Sequence, residues 1–332
     1  MISRRRAVLA LGVGALWAPL GLFAQQRMAK VWRIGYLSMR PAPTSKYSGG
    51  LSAFTQGMRD LGYVEGTNLA IESRFAAGDL ELLSAFAADL VRQKVDVIVV
   101  NGGTRVTRVA QNATATIPIV FSGVGDPVRA GFANSLAKPG GNLTGITNMA
   151  GSLELKRFEV LREILPRLRR IAYLSNPEIS ESLIDKAEMQ AALKRIGVDV
   201  LWLNARNTEE IERAFVELAR QRVHGAIFAT ENTFSLQVQK LADLATKYKL
   251  PAAMGFPEAA EAGLLVSYGV KADNNSLHAA NYVDKILKGA KPGGLPIEQP
   301  TKFELIINLR TAKALSIKIP ESILFRADRV IE

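Results

Sequence analysis

Short apolar runs alternate along this chain with stretches whose apolar residues recur every three or four positions. Arg33-Ile34-Gly35-Tyr36-Leu37 predicts a strand. Residues 48–61 predict a helix with Leu51, Phe54, Met58 and Leu61 on one face, the spacing that buries one side of a helix. Gly62 stops it, because a residue without Cβ takes the left-handed terminal conformation cheaply. Asn68 to Phe75 predicts a second strand, and Asp79 caps a helix that turns Leu83, Phe86 and Leu90 inward. Val95-Asp96-Val97-Ile98-Val99-Val100 predicts a third strand and Ile117 to Phe121 a fourth. The third is almost continuously apolar, like a strand covered on both faces. Strands alternating with helices over short connections predict a parallel sheet wrapped by helices.

The same series then recurs. Arg170-Ile171-Ala172-Tyr173-Leu174-Ser175 repeats Arg33-Ile34-Gly35-Tyr36-Leu37-Ser38 with one change. Val198 to Leu203 follows a helix, as the second strand did. Arg220-Gln221-Arg222-Val223 precedes a strand at Ala226 to Ala229, as Arg92-Gln93-Lys94-Val95 precedes Ile98 to Val100. Leu250-Pro251-Ala252-Ala253-Met254 answers Ile117-Pro118-Ile119-Val120-Phe121. Two similar, doubly wound α/β lobes follow. Lys138-Pro139-Gly140-Gly141-Asn142 and the short strand Leu143 to Thr147 separate them, proline and paired glycines being chain punctuation. Asp273 to Leu287 predicts a further helix, and Phe303 to Leu309 a strand or crossover. Chain left over after two lobes is expected to pass back through a multi-segment hinge, the arrangement that lets one rigid lobe close on another. The expected first lobe is 31–147 plus about 270–300, and the second 148–269 plus about 301–332.

Composition adds location more than chemistry. Arg4, Arg5 and Arg6 precede an apolar run from Ala7 to Phe23 that ends in Ala24-Gln25-Gln26, the make-up of a secretory signal peptide. A spanning helix needs roughly 20 apolar residues; this run is shorter and carries Pro19, so cleavage of residues 1–24 is expected, leaving no stable membrane anchor. Ser3-Arg4-Arg5 hints at a twin-arginine signal without the usual Phe after the pair, so Sec and twin-arginine export both stay open. Removing the signal takes the net charge from +11 to +8. The positive residues are scattered among acids, as in Glu154-Leu155-Lys156-Arg157 and Glu209-Glu210-Ile211-Glu212-Arg213. That reads as solvated surface; without interleaved stacking aromatics it is not a nucleic-acid groove. Cysteine is absent, which excludes disulfides, thiolate metal sites and a lipid-modified cysteine anchor.

Three segments carry a family resemblance. They are Ile117-Pro-Ile-Val-Phe with Gly125-Asp126-Pro127-Val128, then Leu136-Ala-Lys-Pro-Gly-Gly-Asn-Leu-Thr-Gly-Ile146, then a C-terminal series. The series runs Tyr282-Val-Asp-Lys-Ile-Leu-Lys-Gly-Ala-Lys-Pro292, Leu295-Pro-Ile-Glu-Gln-Pro-Thr-Lys-Phe-Glu-Leu305 and Ala327-Asp328. Over essentially the whole mature length the chain resembles the ABC-transporter substrate-binding family related to tryptophan- and tyrosine-type binding proteins. The resemblance implies the type I periplasmic-binding-protein fold, with two Rossmann-like lobes. It also implies a monomeric periplasmic protein that binds without chemistry and delivers its solute to a permease driven by an ATPase. Many relatives have an aspartate-proline turn after the second lobe's third strand, where this chain has Thr230-Glu231-Asn232.

In open parallel sheets, ligands sit outside the carboxyl ends of the strands. That rule selects Asn101-Gly102-Gly103-Thr104, where glycines admit close backbone approach and a helix N-terminus favours an anion such as an amino acid's carboxylate. The alternative is a tight turn in which Thr104 merely caps the helix. Asp126 fits either a ligand ammonium or a brace for its own loop. Ser38 and Met39 should face Asn176 across the cleft, with Glu231 and Asn232 after one strand and Phe256 after the next. Tyr47, Phe256 and Tyr268 fit either aromatic walls or ordinary packing, and Arg40 and Arg105 either pair an acidic group or sit in solvent. Enzyme signatures are missing: no dinucleotide or Walker loop and no nucleophile elbow. His224 and His278 are the only histidines, and both read as structural; no metal or cofactor is expected. The expected function is therefore capture of an amino acid or related carboxylate for an ABC importer. The alternatives are a secreted sensor presenting its closed form to a membrane receptor, and an exported α/β hydrolase.

Overall fold

Strands that run through the middle of a parallel sheet need apolar side chains on both faces, and the first element has them. In the computed structural model, which describes residues 30–43, 49–180, 186–270 and 272–332, β1 (Trp32–Ser38) lies between β2 (Leu69–Phe75) and β3 (Val97–Asn101). β4 (Ile119–Val124) and β5 (Leu143–Thr147) extend the sheet, which is parallel throughout in the order β2-β1-β3-β4-β5. The expected signal peptide and Tyr47 lie outside the described residues. Helices α1 (Gly49–Asp60), α2 (Leu80–Arg92) and α3 (Gly103–Ala113) make the crossovers. Asp79 caps α2 by accepting the Leu82 N–H at 3.0 Å. Phe54 and Met58 of α1 are buried, whereas Leu61 falls in the turn beyond the helix and is exposed.

The second sheet repeats the plan. After α4 (Ala150–Ile164) come β6 (Arg170–Ser175), α5 (Pro177–Ser180), α6 (Lys186–Arg195), β7 (Asp199–Asn204) and α7 (Thr208–Arg220). Then follow β8 (Gly225–Phe228), α8 (Asn232–Ser235), α9 (Val238–Lys247), β9 (Ala252–Met254), α10 (Pro257–Ala262) and β10 (Val266–Val270). The order β7-β6-β8-β9-β10 is the topological copy of the first sheet. Two strands are added at its far edge. β11 (Phe303–Asn308) runs antiparallel to β10, and β12 (Arg329–Ile331) runs parallel to β11. The expected strand or crossover at 303–309 is thus a strand; β10 and β12 were not foreseen.

The chain passes between the sheets three times, after Thr147, after Val270 and between Glu298 and Phe303. In between, α11 (Ala272–Leu287) returns to the first lobe, where Ala279, Ala280, Tyr282 and Val283 join Ile34, Phe54 and Val99 in one core. The helices meet closely at Gly57, where a Cβ would come 2.8 Å from that of Ala280. Two short helices, α12 (Leu309–Ala314) and α13 (Glu321–Arg326), complete the second lobe. Residues Val31–Glu332 form one compact unit.

One expectation fails in an informative way. Glu154 and Arg157 are not solvated; each side chain is 1% exposed. They share the stripe of α4 that carries Phe158 and Leu161, spaced i, i+3, i+4, i+7, and that stripe faces β10 and β9. Arg157 Nη1 lies 2.7 Å from Glu154 Oε1, and its Nε donates to the Tyr268 carbonyl at 2.7 Å. Gly255 leaves room for the guanidinium, since a Cβ there would sit 2.3 Å from Nη2. Removing one member of a buried pair strands the other charge. Arg157→Met should therefore lower unfolding stability by about 3–5 kcal/mol in a urea titration, and adding Glu154→Leu should recover most of that loss.

Candidate functional site

The carboxyl ends of both sheets converge on one cavity of about 120 Å³. Asn101, Gly103, Thr104, Arg105, Ser122 and Asn148 line it from the side of the first sheet. Thr230, Glu231, Asn232, Phe256 and Glu258 line it from the second, while Asn275 of α11 and Arg40 of the loop after β1 complete the wall. The volume exceeds the ~10–15 Å³ that a single water needs, and the lining mixes amides, hydroxyls and both signs of charge around one aromatic ring.

Backbone geometry builds the first wall. Gly102 and Gly103 have φ of +144° and +74°, and a Cβ at Gly102 would strike Val106 Cγ2 at 2.6 Å. Only glycine turns the chain this sharply from β3 into α3. Gly102 occupies the cap position, with no side-chain cap bond to the helix. Thr104 therefore does not cap α3; its Oγ1 is buried without a hydrogen-bond partner. The first N–H groups of α3 carry the helix's partial positive charge, and Arg105 adds a full one.

The second wall rests on loop-to-loop bonds. Glu231 Oε1 accepts the Asn176 N–H at 2.6 Å, and the Asn176 side chain donates to Thr233 Oγ1 at 3.0 Å. Asn176 is thus one bond removed from the cavity, buried behind Glu231. Deeper in this lobe the Tyr173 phenol is held well above its ordinary range, first by burial and then by the carboxylates of Glu154 and Glu231. It stays protonated, a buried neutral hydroxyl beside two acids.

Other expected residues lie elsewhere. Ser38 is buried, and its Oγ accepts the Arg40 N–H at 3.1 Å. Met39 belongs to the first lobe's core. Asp126 Oδ1 accepts the N–H groups of Val128 and Arg129 at 3.1 and 2.9 Å, so of its two roles the structure displays the loop brace. Tyr268 packs on Phe303 and offers its carbonyl to Arg157, outside the lining. Ser122, Asn148, Glu258 and Asn275 were not foreseen. Asn148 follows the end of β5 and Glu258 sits two residues beyond Phe256, so the strand-end rule carried further would have reached both. Asn275 comes from a helix that returns from the other lobe and leaves no local signal.

Three contacts tie the walls together. Arg40 Nη1 lies 3.3 Å from Glu258 Oε1, with its guanidinium 5.8 Å from the Phe256 ring centre. Arg105 Nη2 lies 2.8 Å from Glu178 Oε2 of α5. The Asn232 amide donates to the Gly102 carbonyl. Both arginines therefore pair carboxylates of the opposite lobe. Among the described residues no cluster of His, Asp and Glu could hold a metal ion, and no helix is long and apolar enough to cross a membrane.

Comparison with known proteins bears on this arrangement. The profile of the family described as ABC transporter substrate binding protein matches residues 41–331. A tyrosine-binding protein of Clostridioides difficile (strain R20291) is 26% identical over 265 residues, covering 80% of this chain and 76% of that relative. A solved conserved domain protein from Vibrio cholerae superposes with a TM-score of 0.82 at 27% identity, over 91% of this chain and 100% of its own. A Streptococcus pneumonia ABC domain solved in complex with L-Trp gives a TM-score of 0.80 at 24% identity, with the same coverage. The last shares the fold.

Exposed ion pairs are screened by salt, so the ties between lobes should be too. Small-angle scattering of an Arg40→Ala, Arg105→Ala variant should show a larger radius of gyration than the parent. Raising salt to about 0.5 M should move the parent part of the way and the variant hardly at all.

Proposed function

This chain belongs to the ABC transporter substrate-binding protein family, and we propose that it captures an amino acid or closely related carboxylate between its lobes and closes around it for an ABC importer. The observation that carries the reading is the pairing of unlike walls on one cavity. An uncapped helix N-terminus with Thr104 and Arg105 suits a carboxylate, and Glu231 and Glu258 opposite suit an ammonium. The tyrosine-binding relative and the neighbour solved with L-Trp support an amino acid as the solute.

A solute touching both walls favours the closed form because it gains contacts there that the open form lacks. Capture and release leave the solute unchanged, so the activity is binding rather than turnover. The partners are an ABC permease and its ATPase, and the place of action is outside the cytoplasm, in keeping with the basic and apolar leader.

Calorimetric titration with the twenty L-amino acids should find at least one that binds with micromolar or lower Kd. The same amino acid at about 100 times its Kd should add about 2.7 kcal/mol to unfolding stability. Absence of heat and of thermal stabilisation across the whole set would sink the amino-acid reading.

A further inference from the structure

Two acids face the cavity from the second lobe, and the structure gives them different duties. Glu231 is 5% exposed and spends Oε1 on the Asn176 N–H, a bond between two loops of its own lobe. Glu258, in the first turn of α10, sends Oε1 across the cleft to Arg40, while Oε2 is buried without a hydrogen-bond partner. Thr104 Oγ1 is the corresponding unpartnered atom on the opposite wall. A buried acceptor left unsatisfied destabilises whatever conformation buries it, most of all when it carries charge. The two lobes thus hold one such atom on each side of the same cavity.

We propose that Glu258, rather than Glu231, reads the ammonium of the solute and couples that recognition to closure through Arg40. The inference rests on the amino-acid reading above. An ammonium has three donors and no acceptor. It satisfies Oε2 while Oε1 keeps Arg40, so the carboxylate is complete only when solute and both lobes meet at it. A carboxylic acid lacking the amine leaves Oε2 unmet. Phe256, one side of the Arg40 guanidinium, holds that cation in place for the pair.

The test compares L-tyrosine, L-tryptophan and L-leucine with their deaminated counterparts, 3-(4-hydroxyphenyl)propionate, indole-3-propionate and 4-methylpentanoate. Kd is measured for the parent, Glu258→Gln and Arg40→Met, with melting temperatures to verify folding. The parent should prefer the amino acid by about tenfold or more, the scale of a hydrogen bond to a charged group. Glu258→Gln should bring the two within about threefold. Arg40→Met, which keeps the carboxylate but loses the tie, should weaken both probes and keep the preference. A parent that binds both members of a pair equally overturns this assignment and leaves the amino-acid reading standing. So does a Glu258→Gln protein that keeps the full preference, or an Arg40→Met protein that loses it as completely. Where none of the six binds, the same pairing is made with whichever L-amino acid the calorimetric series finds, and a parent that binds none of the twenty overturns both.

Discussion

The site's second wall depends on a charge pair that never meets water. Glu154 and Arg157 lie inside the second lobe, where isolated charges would be ruinous. Arg157 fastens α4 to the Tyr268 carbonyl on β10 and fills the space left by Gly255 after β9. Glu154 reaches the Thr230 hydroxyl after β8. The ends of β8 and β9 and the middle of β10 are thereby referenced to one helix, and the first two lead into Glu231, Phe256 and Glu258. An apolar pair of the same volume would fill the space as well, but it would not fix the heights of the two loops relative to β10.

The two walls are built by different means. The first is largely backbone: a glycine turn, helix dipoles, and strand-end amides such as Asn101 and Asn148. The second is largely side-chain charge, steadied by buried hydrogen bonds. Between them run ties of modest strength, since the arginine pairs are partly open to solvent. Each hydrophobic cluster stays within its own sheet and helices, so the contacts between the walls are these ties and not a shared core.

Much of the fold was legible in the sequence because burial on both faces writes continuous apolar runs. The repeat of Arg33-Ile34-Gly35-Tyr36-Leu37 at Arg170 to Leu174 reports two strands in equivalent places, and β1 and β6 hold the same rank in their sheets. The strand-end rule reached Gly103, Thr104, Glu231, Asn232 and Phe256, all of which border the cavity. It also drew in Met39, which turns into the core because direction cannot be read past the last paired residue; Tyr268, chosen for its ring, lies within β10 and packs on Phe303 instead. Glu154 and Arg157 were misread for the opposite reason. Charged residues in a helical segment signal solvent unless their spacing is checked against the apolar stripe, and here both lie on that stripe.

The return of α11 to the first lobe has a consequence for biosynthesis. Ala279, Tyr282 and Val283 are part of the core around β1, yet they emerge from the ribosome some 240 residues after it. Until they arrive, α1 alone covers that face of the first sheet and the core there is incomplete. Contacts so distant in the chain are slow to form. The first lobe is thus finished only when nearly the whole polypeptide has been made.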